Sequence, residues 1–145
     1  MLKTPESKKK NAQVVTLSDG KDIQLTNHDS ASYSSTKYKT VTVDVAKTVE
    51  SWKNSLFSYE WLTKDGDFKD IENLPLKDQE RRTEILKKIE MGQPLVTPIL
   101  GMGMLDNVEI GVGRAVFLTL AIMGANEIPV HIPASQEDFF EKFVK

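Results

Sequence analysis

Cysteine is absent from the 145 residues of this chain, and histidine occurs only twice, at His28 and His131. Without cysteine the protein has no disulfide, no thiolate metal site and no cysteine nucleophile. The two histidines stand more than a hundred positions apart, so histidine-based metal chemistry has few candidate residues. These absences exclude the thiol-dependent enzyme classes.

An excess of basic charge is also missing, since 19 lysines and arginines face 21 aspartates and glutamates, for a formal net charge of −2. A protein that coats DNA carries an overall positive field, which this composition does not supply, although a local basic patch is compatible with it. No run approaches the roughly 18 apolar residues of a membrane span, and no apolar stretch follows the N-terminal lysines as in a signal peptide. We therefore expect a cytoplasmic protein that does not bind membranes.

The length and a hydrophobic content of 39% suffice for one ordinary core, with two segments in front of it. Residues 1–12 predict a flexible basic tail, in which the run Lys8 to Lys10 is solvated or, alternatively, touches nucleic acid or an acidic membrane. Residues 13–46 predict a β extension, with a hairpin around Asp19-Gly20 and a half-buried strand in KYKTVTVDVA. Residues 47–145 predict an α+β domain with a small mixed sheet and packed helices.

Two helices are predicted in the first half of that domain. An amphipathic helix over about residues 47–63 follows from apolar side chains that recur near helical spacing, at Val49, Trp52, Leu56 and Tyr59. We assign its aromatic residues to a core or an interface and not to base stacking. Asp65-Gly66-Asp67 then predicts a turn, because the further acidic ligands of an EF-hand calcium loop are missing. A second helix, over about residues 76–91, ends at Gly92 and Pro94.

The second half predicts a rapid alternation of strands and turns around one apolar helix. In order, we expect a buried strand LVTPIL, a turn from Gly101 to Asn107, a strand VEIGV, a helix from Arg114 to Met123 and a strand EIPVHIP. The helix has only Arg114 and Thr119 as polar residues, which predicts burial on nearly every side.

The junction before this helix is the candidate phosphate site. Gly111 and Gly113 precede the helix, so backbone N–H groups there can converge on an anion; the alternative is that they are ordinary turn residues. Arg114 lies in the first turn, where a cation gains nothing from the helix dipole. Its planar fork suits two-point contact with a phosphate, and the alternative is an arginine that extends over the core into solvent.

Three further polar residues are candidates for chemistry at the same junction. His131, in the predicted strand EIPVHIP, titrates near neutrality and suits a general acid or base, or else it is a packing residue. Asp106 and Glu109 flank the preceding turn and are candidates to hold Mg²⁺ together with the phosphates of a bound nucleotide.

The order of helix, proline-containing strand, turn, strand, Gly-Arg, apolar helix, glycine and Ile-Pro-Val strand resembles the ParB/sulfiredoxin-like domain of plasmid partition proteins, related nucleases and sulfiredoxins. The local match runs without a gap over residues 113–130, and a looser match over 85–100 extends it to about 70–132. The chain shares with the family Gly113, Arg114, Gly124, Ile128, Pro129 and Val130.

The resemblance implies binding of nucleotide phosphates or hydrolysis of phosphodiesters at Gly111, Gly113 and Arg114. Ala115 and Val116 replace the family's further basic residues, which implies weakened or lost hydrolysis, and the lack of cysteine excludes sulfiredoxin chemistry. Too few residues follow Pro133 for the helix-turn-helix domain of partition proteins, and we expect a phage or plasmid accessory protein that binds a nucleotide or a DNA backbone.

The alternative function is a non-catalytic protein-interaction or inhibitor protein that uses the fold as a scaffold. Its contact surface would be the aromatic helix or the C-terminal segment DFFEKFVK, whose phenylalanines have helical spacing and can equally pack back on the domain.

Overall fold

The computed structural model describes residues 12–33 and 37–145, so nearly all of the predicted basic tail lies outside the described residues. The described residues form an α+β domain with mixed sheets, as the sequence predicts. The strands are β1 Ala12–Thr16, β2 Asp22–Thr26, β3 Tyr38–Asp44, β4 Leu95–Val96, β5 Ile99–Met102, β6 Val108–Val112 and β7 Glu127–Pro133. The α-helices are α1 Asp29–Tyr33, α2 Val45–Trp52, α3 Leu76–Glu90, α4 Arg114–Ile122 and α5 Glu137–Phe140.

The strands form two sheets. The first has the order β1-β2-β4, with β1 and β2 antiparallel around Asp19-Gly20 and β4 parallel to β2. The predicted hairpin is therefore confirmed, and Gly20 supplies the positive φ of 87° that its turn requires. The second sheet has the order β3-β7-β5-β6. Strands from the segment 13–46 thus pair with strands of the segment 47–145 in both sheets.

The predicted strand LVTPIL is divided between the two sheets, which corrects its prediction as one strand. The Thr97 N–H and Oγ both bond to the Thr26 carbonyl, at 2.8 and 2.9 Å, which ties β4 to the first sheet. Pro98 has no N–H for a ladder, so the strand is interrupted there. The Pro98 carbonyl accepts the His131 N–H at 2.9 Å, and the chain continues in the second sheet as β5. Since β5 reaches Met102, the following turn begins later than predicted.

The predicted helix over 47–63 is wrong beyond Trp52, where α2 ends. After Trp52, serine side chains form hydrogen bonds with the backbone. Ser55 Oγ accepts the Phe57 N–H at 3.1 Å, and Ser58 Oγ donates to the Lys53 carbonyl at 3.0 Å. Such local bonds compete with helix formation. Leu56 and Tyr59, which the helix would have buried, are 79% and 66% exposed.

Helix α4 lies in the core, as its composition predicts, with Phe117, Leu118 and Leu120 fully buried. The C-terminal segment packs back on the domain. Phe140 and Phe143 are buried with their rings 6.1 Å apart, and the Lys145 N–H bonds to a β3 carbonyl at 2.9 Å. Among the described helices, none has both the length and the apolar character needed to span a bilayer.

Candidate functional site

The junction between β6 and α4 has a backbone that only glycine fits well. Gly113 has a φ of 78°, and a Cβ added there would lie 3.0 Å from the Cα of Pro98. Gly113 is also the N-cap of α4 and has no side chain to accept a hydrogen bond, so among the described residues no side chain caps the first turn. The N–H groups of an uncapped first turn can bind an anion.

A cleft of about 440 Å³ opens at this junction, between α3 and the start of α4. The three residues predicted to bind phosphate, Gly111, Gly113 and Arg114, all line it. We call it the α3–α4 cleft. Three polar residues of α3 also line the cleft. Its apolar wall is formed mainly by Ile85, Leu95, Val96, Val112, Ala115 and Val116.

The α3 residues Arg81, Glu84 and Lys88 were not predicted to belong to the site. Among the described residues, three basic side chains line the cleft, with Arg114 as the third, against one acidic side chain. The spacing of positions 81, 84 and 88 places them on one face of a helix, which is a signal visible in the sequence. What the sequence did not show is that this face borders the glycine junction.

Arg114 is held by two contacts from the segment that follows α2. Its Nη1 donates to Glu60 Oε1 at 3.0 Å, and its guanidinium carbon lies 5.2 Å from the centre of the Phe57 ring. Both members of the ion pair are about three-quarters buried, with exposed side-chain fractions of 24% and 26%. The guanidinium is thus held by Glu60 and Phe57, and an anion bound to it would share it with Glu60.

His131 lies in the interior and does not reach the glycine junction. It is 1% exposed, its Nδ1 lies 2.8 Å from Thr40 Oγ1, and its Nε2 accepts the His28 N–H at 3.2 Å. Two strand spacings, about 10 Å, separate it from Val112 across β5. Because Nε2 accepts a hydrogen bond, the ring is neutral and its proton is on Nδ1. His131 is therefore a buried histidine with a structural role.

Burial, together with the nearby His28, lowers the pKa of His131 below its ordinary value of 6.5. The unfolded chain therefore binds more protons than the folded protein just below pH 6.5, so the protein loses stability as the pH falls through that range. We expect His131→Gln to flatten this part of the pH dependence in chemical denaturation, because glutamine does not titrate. An unchanged slope in the variant would contradict this origin, and His28→Gln, which leaves His131 buried, should keep most of the slope.

The two carboxylates proposed to hold Mg²⁺ are not brought to the α3–α4 cleft. The oxygens of Glu109 accept hydrogen bonds from Ser55 Oγ at 2.6 Å and from Asn107 Nδ2 at 3.0 Å. Asp106 lies in the turn with a φ of 58° and lines a separate cavity with Asp138. Across the residues that the structure describes, no three potential metal-ligating side chains gather into a group.

The structure thus gathers the predicted phosphate-binding residues in one cleft and leaves the predicted acid/base and magnesium residues elsewhere. Two residues of α3 that the sequence did not single out, Arg81 and Lys88, complete the basic wall. Comparison of the chain with known protein families, curated proteins and solved structures gave no significant match to any of them.

Proposed function

We propose that the protein binds the phosphate groups of a nucleotide or of a nucleic-acid backbone in the α3–α4 cleft, with weak hydrolysis or none. The observation that carries this proposal is the cleft that Arg81, Lys88 and Arg114 line together at the start of α4, a helix start that none of the described side chains caps.

Each part of the cleft suits one part of such a ligand. Free N–H groups at a helix start bind phosphate oxygens, and the helix dipole favours the negative charge. Arg114 presents a planar fork, oriented by Glu60, and Lys88 presents a mobile point charge. The apolar wall along Val96 and Val112, which are 45% and 44% exposed, offers a surface for a sugar or base.

The proposal of little or no hydrolysis rests on the carboxylates and the histidine. A hydrolase needs a base or a metal-held water within reach of the phosphate. Glu84 is the one carboxylate among the residues that line the cleft, and it lies 3.8 Å from the Lys88 ammonium. His131 and Glu109 are engaged in other hydrogen bonds.

We further infer that the fold is ParB/sulfiredoxin-like over about residues 70–132. Support comes from the element order, in which α3, β6, Gly113-Arg114, α4 and β7 follow one another as in that resemblance, with the two short strands β4 and β5 in place of its one proline-containing strand. Binding at a Gly-Arg helix start is the property that this resemblance implies.

The double charge reversal Arg81→Glu/Lys88→Glu is expected to weaken nucleotide binding about 30-fold, or about 2 kcal/mol, because two cations beside the phosphate become anions. Both side chains are partly exposed, at 65% and 41%, and their ion pairs with Asp78 and Glu84 are long, at 4.0 and 3.8 Å, so the variant should still fold. The measurement is titration with a fluorescent nucleoside triphosphate and with labelled short DNA, at low salt with magnesium. Arg114→Glu is less suitable, since it would place a second carboxylate against Glu60.

Lys87→Glu is the matched control, because Lys87 is an exposed lysine of the same helix outside the cleft. It should keep wild-type affinity to within about twofold. Equal affinity of the wild type and the double variant for every ligand would contradict the proposal.

A protein partner is the second candidate function, and one surface favours it. The Ser55–Glu109 hydrogen bond brings the turn after α2 beside the turn 103–107, and both carry exposed apolar side chains, among them Leu56, Met104 and Leu105. The C-terminal segment is a weaker choice, since two of its three phenylalanines are buried. This candidate predicts partner capture that survives Arg81→Glu/Lys88→Glu.

A further inference from the structure

The structure has a second basic cleft. It measures about 560 Å³ and is lined by Lys53, Lys64 and Lys69, with Asp65 as the one acidic side chain among its lining residues. Tyr59, whose side chain is 66% exposed, borders it. We call it the lysine cleft. Its combination of cations and an accessible ring was not predicted, since the sequence placed Tyr59 on a helix face.

The turn 63–67 gathers these lysines. The Thr63 N–H bonds to the Asp67 carbonyl at 2.8 Å, and Gly66 has the positive φ of 86° that the turn needs. A Cβ added to Gly66 would lie 3.2 Å from Lys53 Nζ, so the glycine leaves room for that ammonium group. One depression is thereby lined by Lys64 of the turn, by Lys69 after it and by Lys53 at the end of α2.

The short turn from Phe57 to Glu60 connects residues of both clefts. Phe57 and Glu60 contact Arg114, which lines the α3–α4 cleft. Ser58 and Tyr59 line the lysine cleft. Cations therefore occur on both sides of a turn that carries two accessible aromatic rings, since Phe57 is also 50% exposed.

We propose that a single strand of nucleic acid runs from the α3–α4 cleft across the Phe57–Glu60 turn into the lysine cleft, with phosphates beside the cations and a base stacked on Tyr59. Alternation of cations with accessible aromatic rings is the pattern of single-strand binding without sequence readout. A duplex does not fit this pattern, because its bases are stacked inside the helix. The inference rests on the proposed function, since it extends the ligand that occupies the first cleft.

The test measures fluorescence anisotropy of labelled oligothymidylates of about 12 and about three nucleotides, each with every variant. Lys64→Glu/Lys69→Glu is expected to weaken binding of the longer strand about tenfold or more and to leave the shorter strand unaffected, because the shorter one fits the first cleft alone. Tyr59→Ala should weaken the longer strand about tenfold, whereas Tyr59→Phe, which keeps the ring, should change it by less than about twofold. Lys21→Glu/Lys87→Glu is the control for two charge reversals outside both clefts.

Each outcome decides a separate point. Loss of the longer strand in both Arg81→Glu/Lys88→Glu and Lys64→Glu/Lys69→Glu supports the inference and the proposed function together. Loss in Arg81→Glu/Lys88→Glu alone overturns the inference and leaves the proposed function standing. Loss in Lys64→Glu/Lys69→Glu alone overturns the proposed function, and with it the continuous path. Equal affinity for a duplex of the same length overturns the single-strand assignment.

Discussion

Gly124→Ala is expected to lower the free energy of unfolding by about 3 kcal/mol, which combines a backbone cost of about 1–2 kcal/mol with the cost of a steric clash. Gly124 ends α4 with a φ of 91°, a region that residues with a Cβ rarely adopt. The new Cβ would also lie 2.5 Å from Ser18 Cβ. Ser18 has little room to withdraw, because its N–H and Oγ both bond to the Met123 carbonyl, at 3.3 and 3.2 Å.

Two matched variants separate the backbone cost of Gly124→Ala from the clash. Gly92 has a similar φ of 71° with nothing within 4 Å of an added Cβ, so Gly92→Ala should cost only about 1 kcal/mol. In the Ser18→Gly background the clashing side-chain atoms are gone, and adding Gly124→Ala should cost about as much as Gly92→Ala costs in the wild type. Urea denaturation of the wild type, Gly124→Ala, Gly92→Ala, Ser18→Gly and Ser18→Gly/Gly124→Ala provides the comparison. If Gly124→Ala lowers the free energy of unfolding no more than Gly92→Ala does, the loop that contains Ser18 moves away at no cost and the predicted clash is contradicted.

Asn107→Asp is expected to destabilise the protein by at least about 3 kcal/mol near neutral pH, because it removes two donated hydrogen bonds and buries a second carboxylate. Asn107 is 2% exposed, and its Nδ2 donates to the Val108 carbonyl at 2.9 Å and to Glu109 Oε2 at 3.0 Å. An aspartate in this position would set carboxylate oxygens against both acceptors.

The pH dependence identifies the cause of the Asn107→Asp loss. When the pH is lowered from about 7 toward about 4, one of the two neighbouring carboxyl groups can take up a proton and donate a hydrogen bond. The difference in the free energy of unfolding between the variant and the wild type should therefore shrink. Asn107→Asp/Glu109→Gln should recover part of the loss at neutral pH. Asn54→Asp, the same change at an exposed residue, is the control and should be nearly silent. A loss in Asn107→Asp that does not depend on pH would contradict the carboxylate repulsion.

Elements with strong local signals were predictable from the sequence. Helix α3 follows from its apolar stripe and from the Gly92 and Pro94 stop, and α4 follows from an apolar run that opens with Gly-Arg. The hairpin around Asp19-Gly20 was equally local. Each of these depends on residues close in sequence, which is why periodicity and turn chemistry sufficed.

Other features depended on contacts between distant residues. The chain passes from the first sheet to the second at Pro98 because Thr97 bonds to Thr26 and the Pro98 carbonyl bonds to His131. Thr26 and His131 lie about 70 and 30 positions away in the sequence. The basic wall of the α3–α4 cleft exists because α3 packs beside the glycine junction, so Arg81 and Lys88 were visible only as charges on a helix face. The end of α2 was predicted wrongly for a different reason. Hydrogen bonds between the side chains of Ser55 and Ser58 and the backbone outweighed the approximate helical spacing of the apolar residues.

The position of β7 inside the second sheet has a consequence for synthesis of the protein. β7 pairs with β3 on one side and β5 on the other, and its partner Tyr38 on β3 is aligned with Pro133. Until residues 127–133 have been synthesised, β3 therefore lacks the one described strand with which it pairs in this sheet. Val43 of β3 is fully buried in the folded protein, and we expect it to stay exposed until β7 leaves the ribosome. Nascent chains arrested before Glu127 should accordingly be held by chaperones that bind exposed apolar strands.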